Sequence, residues 1–517
     1  MRKIRTVLLT AAIMMLAVCA GMGEEAVFQP KDLPVIYVQI DGGQAETEKM
    51  NSSPDHSYRC TGTMDLVVPE GYSGGYEGRF PQRDLRGLKM EYIRGRGNGT
   101  WGMSKHPYKI KLRNKENLFG LGKNKHWVLL SNYFDNSLIR NWITEWIGEQ
   151  IGLEYTPMGT FVEVVMNGEY LGTYYLCEQI RVSSARVDID ELTNADTGFP
   201  AIQGGYLMEF FPDDEDMETS FFETEAGVRL GNKSPNFNPS DGGYVNDVQK
   251  AYIREAVQRM ENAFRNEGPD ADGKTWEDYV DAQSLADYWW IMEFSENADA
   301  FTTDSSLFFK KRFEADGSEG KFHFGPLWDF DESWGNAYLT TFQKPGFNNA
   351  YSAWVNMLRE RPEFLDYLKE RWTVMDGLLE EMVREGGVLD KTCALLRNAW
   401  NRDRERWLPA REEDGTLVER NFEEEIEHLR GWIRLRRAWV NEHLDRLGLM
   451  ECVVTIVIDG QAEEYRIPCD TVLDLMYMDA PEKDGLQLTW VLEDGTGIEN
   501  DVLFVDRDMT VTAVYAE

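Results

Sequence analysis

Gly325-Pro326-Leu327-Trp328-Asp329-Phe330-Asp331-Glu332-Ser333 is the stretch on which the reading of this chain turns. Lys321-Phe322-His323-Phe324 ahead of it alternates polar and apolar, which predicts a short strand, a Gly-Pro turn, and two carboxylates delivered from the loop that follows. A second acidic cluster, Ser295-Glu296-Asn297-Ala298-Asp299, also follows an apolar, aromatic run. Paired aspartates in a W-D-F-D arrangement suit a hard divalent ion, which takes carboxylate oxygens and keeps water and substrate phosphates as its other ligands. Helix caps or solvated loops would account for one such acid in a chain this acidic, and account less well for two clusters.

The complementary signal lies upstream. Residues 83–125 hold twelve Lys or Arg against three acids, a local balance of +9 in a chain whose net charge is −36. Such an island calls for an anionic ligand or for docking against the protein's own acids. Within it, Arg94-Gly95-Arg96-Gly97-Asn98-Gly99-Thr100-Trp101-Gly102 carries four glycines that let backbone N–H groups approach a phosphate. Tyr108-Lys109-Ile110-Lys111-Leu112 then alternates as a strand with both lysines on one face. A flexible loop, a strand lysine, a carboxylate loop and a metal-binding aspartate, in that order, are the parts of a phosphoryl-transfer site.

The motifs R-x-R-G-N-x-T-W at 94–101, K-x-P-Y-K-I-K at 105–111, L-F-G-L-G-K at 118–123, W-V-L-L-S-N-Y at 127–133 and D-N-S-L-I-R-N at 135–141 run in this order. V-V-M-N-G-E-Y-L-G-T-Y-Y-L-C-E-Q-I at 164–180, G-G-Y-L-M-E at 204–209, E-N-A-D at 296–299 and G-P-L-W-D-F-D at 325–331 continue the series. In these motifs the chain resembles the CotH family of atypical kinases, secreted or spore-coat proteins, over roughly residues 35–445.

That resemblance implies an α+β, bilobal protein-kinase-like fold with a helical C-terminal extension. It implies ATP and Mg²⁺ or Mn²⁺ as cofactors, and a Ser/Thr-containing protein substrate. The loop residues Arg94, Arg96, Gly97, Asn98 and Thr100 would cover the nucleotide phosphates. Lys111 would contact the α- and β-phosphates, with Lys109 as the fallback two residues back. Asp299 would accept the proton of the incoming hydroxyl, and Asp329 or Asp331 would hold the metal, Asp329 standing where the acid of a kinase D-F-G stands. Asp331 replaces the glycine of that triplet, no H-R-D occurs, and Asp304 stands five residues after Asp299 in place of a metal-binding Asn. Glu145, Glu149 and Glu178 all remain candidates for the glutamate that pairs with the lysine, Glu178 also matching a family position between the lobes.

Other features read more plainly. Trp101, Trp127, Trp142 and Trp146 are expected to pack the core, and Arg140 and Asn141 to brace the fold near the site. Six dispersed histidines without H-E-x-x-H or paired Cys spacing argue against a zinc enzyme. Gly71-Tyr72-Ser73-Gly74-Gly75 fits G-x-S-x-G only literally, because no helical pattern follows.

Met1-Arg2-Lys3-Ile4-Arg5, an apolar run from Val7 to Ala20 and small residues near its end predict a signal peptide over 1–23. A secreted or cell-surface location follows, with a lipoprotein disfavoured by Val18 before Cys19 and an uncleaved anchor by the shortness of the run. The rest divides into an N-lobe (27–180), a C-lobe with helical subdomain (181–450) and a small β-rich domain (451–517). Pro212–Ser240, acidic and then Gly/Asn/Pro/Ser-rich, predicts a loop insertion.

The last 67 residues hold sixteen acids and three bases and resemble the β-grasp-like repeat of Gram-positive surface proteins, which implies a spacer or an appendage for a cell-surface or wall partner. An Asp459-Gly460 turn follows the strand pattern of Val453–Ile458, and Cys452 and Cys469 lie symmetrically about the centre of 459–462, so a hairpin would set them opposite each other for a disulfide. Strong negative charge argues against nucleic acid and anionic lipid and favours basic partners. Two functions fit: an ATP-dependent kinase acting on Ser or Thr of an extracytoplasmic or coat-type protein, and a non-catalytic pseudokinase serving as adhesin or scaffold. Adenylylation or glutamylation would use the same nucleotide parts.

Overall fold

The computed structural model describes residues 28–210, 222–233, 246–336, 346–347, 352–478, 480–481, 483 and 485–516. The predicted signal peptide lies outside them. In chain order the regular elements are β1 (Val35–Ile40), α1 (Gln44–Asn51), β2 (Cys60–Val67), β3 (Leu85–Gly95), β4 (Tyr108–Asn117), β5 (Lys123–Leu130), α2 (Arg140–Ile151), β6 (Gly159–Met166) and β7 (Glu169–Glu178). Then come β8 (Tyr206–Phe210), β9 (Phe222–Glu223), β10 (Arg229–Asn232), α3 (Asp247–Arg265), α4 (Trp276–Tyr279), α5 (Ala282–Ser295), β11 (Leu307–Lys310) and β12 (Phe322–Phe324). Four helices follow, α6 (Ala353–Arg359), α7 (Pro362–Val383), α8 (Val388–Glu413) and α9 (Phe422–His443). The chain ends in β13 (Glu451–Ile458), β14 (Gln461–Pro468), β15 (Thr471–Asp474), β16 (Gln487–Leu492), β17 (Val502–Val505) and β18 (Met509–Ala516). This is a mixed α/β protein, and it forms two compact units.

The first unit comprises Met1–Ser131, Thr160–Leu176 and Leu395–Leu417. Its strands close into a barrel in the order β1-β2-β3-β4-β5-β7-β6, sealed by the parallel pairing of β1 with β6. Strand β6 is buried on both faces, which its near-continuous apolar run Phe161-Val162-Glu163-Val164-Val165-Met166 requires. The polar member, Glu163, is satisfied by Arg402 of α8 at 2.7 Å and by the Tyr170 hydroxyl at 2.8 Å.

Lys105, fully buried, is held in the same way. Its Nζ donates to Asp403 Oδ1 and to the Thr173 carbonyl, both at 2.6 Å, and lies over the Tyr174 ring. Gly172 lets Asp403 come this close, because a Cβ there would sit 2.3 Å from Asp403 Oδ1. Part of the basic island is therefore consumed internally: Lys105 by Asp403, Lys111 by Glu91, and Arg86 by Asp65 and Asp84.

The second unit comprises Asn132–Gly159, Cys177–Ala394 and Val418–Glu517. A five-stranded sheet, β12-β11-β8-β10-β9, packs with the helices around a core in which Trp289, Trp290, Trp334, Trp354 and Trp372 are almost fully buried. The described part of Pro212–Ser240 corrects the loop expectation: Phe222–Glu223 and Arg229–Asn232 are strands that extend this sheet, β10 pairing β8. Asp281 caps α5 by accepting from the Ser284 amide at 2.7 Å, which starts the helix that ends at the acidic cluster.

Strands β13–β18 form a four-stranded sheet, β14-β13-β18-β16, and a separate pair, β15-β17. Cys452 and Cys469 are disulfide-bonded, with Cα atoms 5.2 Å apart. The turn is shorter than 459–462: Asp459 and Gly460, at φ 51° and 78°, join Ile458 directly to Gln461, as the Asp-Gly pair of a two-residue hairpin does. In that register Cys452 faces Ile467, so the bridge runs diagonally to a residue just past the end of β14. Replacing both cysteines with serine should destabilise this domain by about 3 kcal/mol, the value for a loop of similar length. Urea-dependent proteolysis within 451–517 would show it.

Candidate active site

Helix α5 ends at Glu296, a non-glycine residue in the left-handed region (φ 52°), and this abrupt stop throws Asn297-Ala298-Asp299 out of the helix line. Asn297 then works in two directions. Its Oδ1 accepts from the Asp299 amide at 2.8 Å, and its Nδ2 donates to the Asp329 carbonyl at 2.9 Å. The two acidic clusters, remote in sequence, are joined through this one side chain.

Asp329 is itself left-handed, at φ 68°. Asn141, near the start of α2, holds the peptide after it by accepting from the Phe330 amide at 2.7 Å. Ser305 Oγ donates to Asp329 Oδ2 at 3.3 Å. Phe301 and Trp334 are also left-handed, so four non-glycine residues around the acids adopt a conformation that neighbouring structure must impose. Beneath them Arg140, fully buried, forms ion pairs with Asp135 and Glu425 and donates Nε–H to the Ser333 carbonyl at 3.1 Å. Both expected braces, Arg140 and Asn141, are in place.

Electrostatically the site is frustrated. Among the described residues no Lys or Arg pairs with Asp299, Asp304, Asp329, Asp331 or Glu332. Burial and then the charges of Asp329, Asp304 and Glu332 push Asp299 up to about 6, against a hydrogen bond from Thr303. Burial, followed by Asp329, Glu332 and Asp135, raises Asp331 well above the carboxylate range, and its side chain shares a hydrogen bond with Asp329. Glu332 is raised by burial and by Asp329. Like charges held together without a cation favour protons or a divalent ion in their place.

All the donors are oxygens, which fits Mg²⁺ or Mn²⁺ and not a soft metal. Among the described residues no three His, Cys, Asp or Glu side chains close on one point.

The phosphate-binding candidates belong to the barrel unit. Strands β3 and β4 pair with Gly95 opposite Tyr108, so residues 96–107 form the connection between the two strands. Gly97, at φ 82°, begins a tight turn closed by the Trp101 amide donating to the Asn98 carbonyl at 3.1 Å. Among the described residues none accepts from the amides of Gly97, Asn98, Gly99 or Thr100, and Asn98 and Gly99 are exposed. Such a run of open N–H groups is an anion-binding concavity.

Arg94 braces the loop, its Nη1 donating to the His56 and Gly95 carbonyls at 3.2 and 2.9 Å. Trp101 packs beneath it, so close to Gly95 that a Cβ there would sit 2.1 Å from the indole. On β4, Lys109 is buried and Lys111 half-exposed, with Nζ 2.7 Å from Glu91 Oε1. Lys111→Ala should change stability by less than about 1 kcal/mol, because an exposed pair contributes little; thermal melting would register a larger loss if the lysine were a packing residue.

Of the three glutamates, Glu145 is buried in α2 while Glu149 is exposed and accepts from Gln150 at 2.9 Å. Burial pushes Glu178 up to about 7, against Arg186, the Met158 amide and the Tyr155 hydroxyl, all of which favour the carboxylate.

Reading the residues alone missed Glu332, Asn297 and Asp135 as parts of the acidic site. Asn297 had a local signal, an Asx residue two positions before Asp299 at a helix end. The charge of Asp135 reaches Asp331 only in the folded chain.

Among curated proteins no match is found. A family model described as CotH kinase protein matches residues 93–440, about two thirds of the chain, a span that takes in the glycine-rich loop, both β4 lysines and every acid of the site. The chain belongs to the CotH kinase family.

Proposed function

We propose that this protein is an atypical kinase that transfers the γ-phosphoryl group of ATP to Ser or Thr of an extracytoplasmic or coat-type protein. The observation that carries the reading is the uncompensated acidic set of Asp299, Asp304, Asp329, Asp331 and Glu332, with Asp299 pushed up to about 6 by burial and then by its neighbours' charges. Asp329 and Asp331 are the residues that would hold Mg²⁺ or Mn²⁺, with Asp304 as a further ligand. The ion would neutralise phosphate charge.

Asp299, its amide pinned by Asn297, orients the incoming hydroxyl and accepts its proton. The open amides from Gly97 to Thr100, together with Arg96, bind phosphate oxygens, and Lys111 exchanges Glu91 for the α- and β-phosphates. The reading takes Glu178, buried among Arg186 and Tyr155, as a residue bordering the nucleotide. A disulfide in the last domain supports a location outside the reducing cytoplasm, secreted or on the cell surface. The acidity of that domain supports basic partners at the cell surface or wall.

The test is incubation of the full chain with γ-labelled ATP, Mn²⁺ and basic Ser/Thr-containing proteins, beside Asp299→Asn. Acid-stable label on Ser or Thr, reduced about 10²-fold or more in the variant, is the expected result. Nucleotide binding without transfer would replace this reading with the pseudokinase scaffold, and label carried only by α-labelled ATP would replace it with adenylylation.

A further inference from the structure

We propose that Arg436 and Asp470 are positioning residues for the acidic site, and that through them the disulfide-bonded C-terminal domain fixes the loop bearing Asp299. The metal-binding arm of the test rests on the kinase reading above; the structural relay does not.

Asp470 directly follows Cys469 of the disulfide and is left-handed, at φ 61°. Its amide donates to the Val505 carbonyl at 2.6 Å, which ties it to its own domain. Its carboxylate points elsewhere: it forms an ion pair with Arg446 and accepts from the backbone amide of Phe347. Gly346 makes room for it, because a Cβ there would lie 2.4 Å from Asp470 Cβ. Phe347 is buried against Trp290 and Trp439.

Arg436 of α9 takes up the Gly346 carbonyl at 2.7 Å. The same Nη2 donates to Glu293 Oε1 at 3.0 Å, and Nε lies 3.9 Å from Glu296 Oε1. Glu293 is in the last turn of α5, and Glu296 is its left-handed cap. The next residue, Asn297, holds both the Asp299 amide and the Asp329 carbonyl. Polar contacts and the peptide bonds between them thus link Cys469 to both acids.

A guanidinium that is 3 % exposed and holds both the Gly346 carbonyl and the end of α5 ties these two segments to α9, because withdrawing the α5 carboxylates would leave a buried charge unpaired. The left-handed cap is the pivot. It turns the chain toward Asp299 with its carboxylate 3.9 Å from Arg436 Nε.

Hydrogen exchange followed by mass spectrometry on the metal-free full chain tests this, with Asp470→Asn and Arg436→Lys beside the parent. Asparagine tolerates the left-handed backbone, so Asp470→Asn removes the charge without straining the turn. Exchange across residues 293–300 should accelerate about tenfold, the loss of one charge-assisted hydrogen bond, while β8, β11 and β12 keep their protection. Mn²⁺ affinity, read by paramagnetic resonance, should fall about 10- to 100-fold.

Exchange at 293–300 unchanged from the parent would overturn the proposal, and so would acceleration spread evenly over the sheet, which marks general loosening. A parent that takes up no Mn²⁺ would defeat the metal reading alone, and the exchange arm would still decide the relay. If Arg436→Lys does not fold, Asp470→Asn decides it by itself.

Discussion

Asp329→Asn should abolish metal-dependent ATP binding and at the same time raise the melting temperature of the metal-free protein. Both effects come from one charge. Asp329 is the exposed acid whose repulsion contributes to the raised pKa of Asp299, Asp331 and Glu332, so making it neutral relieves three neighbours at once. Solvent screens an exposed charge, which keeps the gain near 1 kcal/mol, a rise of about 2 °C or less in a unit larger than 250 residues. Asparagine is the informative substitution because it accepts the left-handed backbone of Asp329, whereas alanine would add strain unrelated to charge.

The loss of binding should be at least about 100-fold, larger than the removal of a residue that only orients a ligand. Calorimetric titration with ATP in the presence and absence of Mn²⁺, beside differential scanning, measures both. A variant that melts higher but binds MnATP as the parent does would remove Asp329 from the metal site and leave it a source of repulsion. A variant that melts lower would show that the carboxylate is structural.

The same crowding of acids is what stands out in the sequence. Two acidic clusters, each after an apolar run, violate the expectation that closely spaced acids come with basic partners, and the fold brings the two together through Asn297. The same reasoning carried the periodic elements. Tyr108–Leu112 lies in β4, and Phe322–Phe324 of the expected Lys321–Phe324 strand forms β12.

What remained illegible were contacts between segments far apart in sequence. Lys105 counts as a free cation until Asp403, 298 positions later, is placed against it. In the last domain the Asp459-Gly460 turn is where the sequence places it, but the cysteines are not opposite each other as symmetry about 459–462 implies, because two-residue and four-residue turns satisfy the same alternation and the left-handed pair Asp459-Gly460 selects the shorter. The strands at Phe222–Glu223 and Arg229–Asn232 were hidden by a composition that reads as loop, and they exist because β8 offers them an edge.

Arg140→Met should destabilise the second unit by about 3–5 kcal/mol, and Asp135→Asn in the same chain should recover a substantial part of that loss. Arg140 has no exposed surface, and neither do its partners Asp135 and Glu425. Glu425 keeps Arg420 at 2.7 Å when the guanidinium is gone, so the uncompensated charge is that of Asp135. That carboxylate also accepts from the Ser137 and Arg140 amides at 2.9 and 2.8 Å, bonds that an asparagine Oδ1 can partly keep. Neutralising it therefore removes the unpaired charge without undoing the start of α2.

The effect should extend to the site, because Asp135 is already one of the groups that raise Asp331. With Arg140 absent, that repulsion has nothing to offset it, and the single variant should bind Mn²⁺ differently from the double variant even after both are stabilised by osmolyte. Urea denaturation of the single and double variants gives the coupling directly. A single variant within about 1 kcal/mol of the parent would mean that the ion pairs contribute no more than exposed ones do, and a double variant no better than the single would mean that Arg140 acts through the Ser333 carbonyl and packing, not through Asp135.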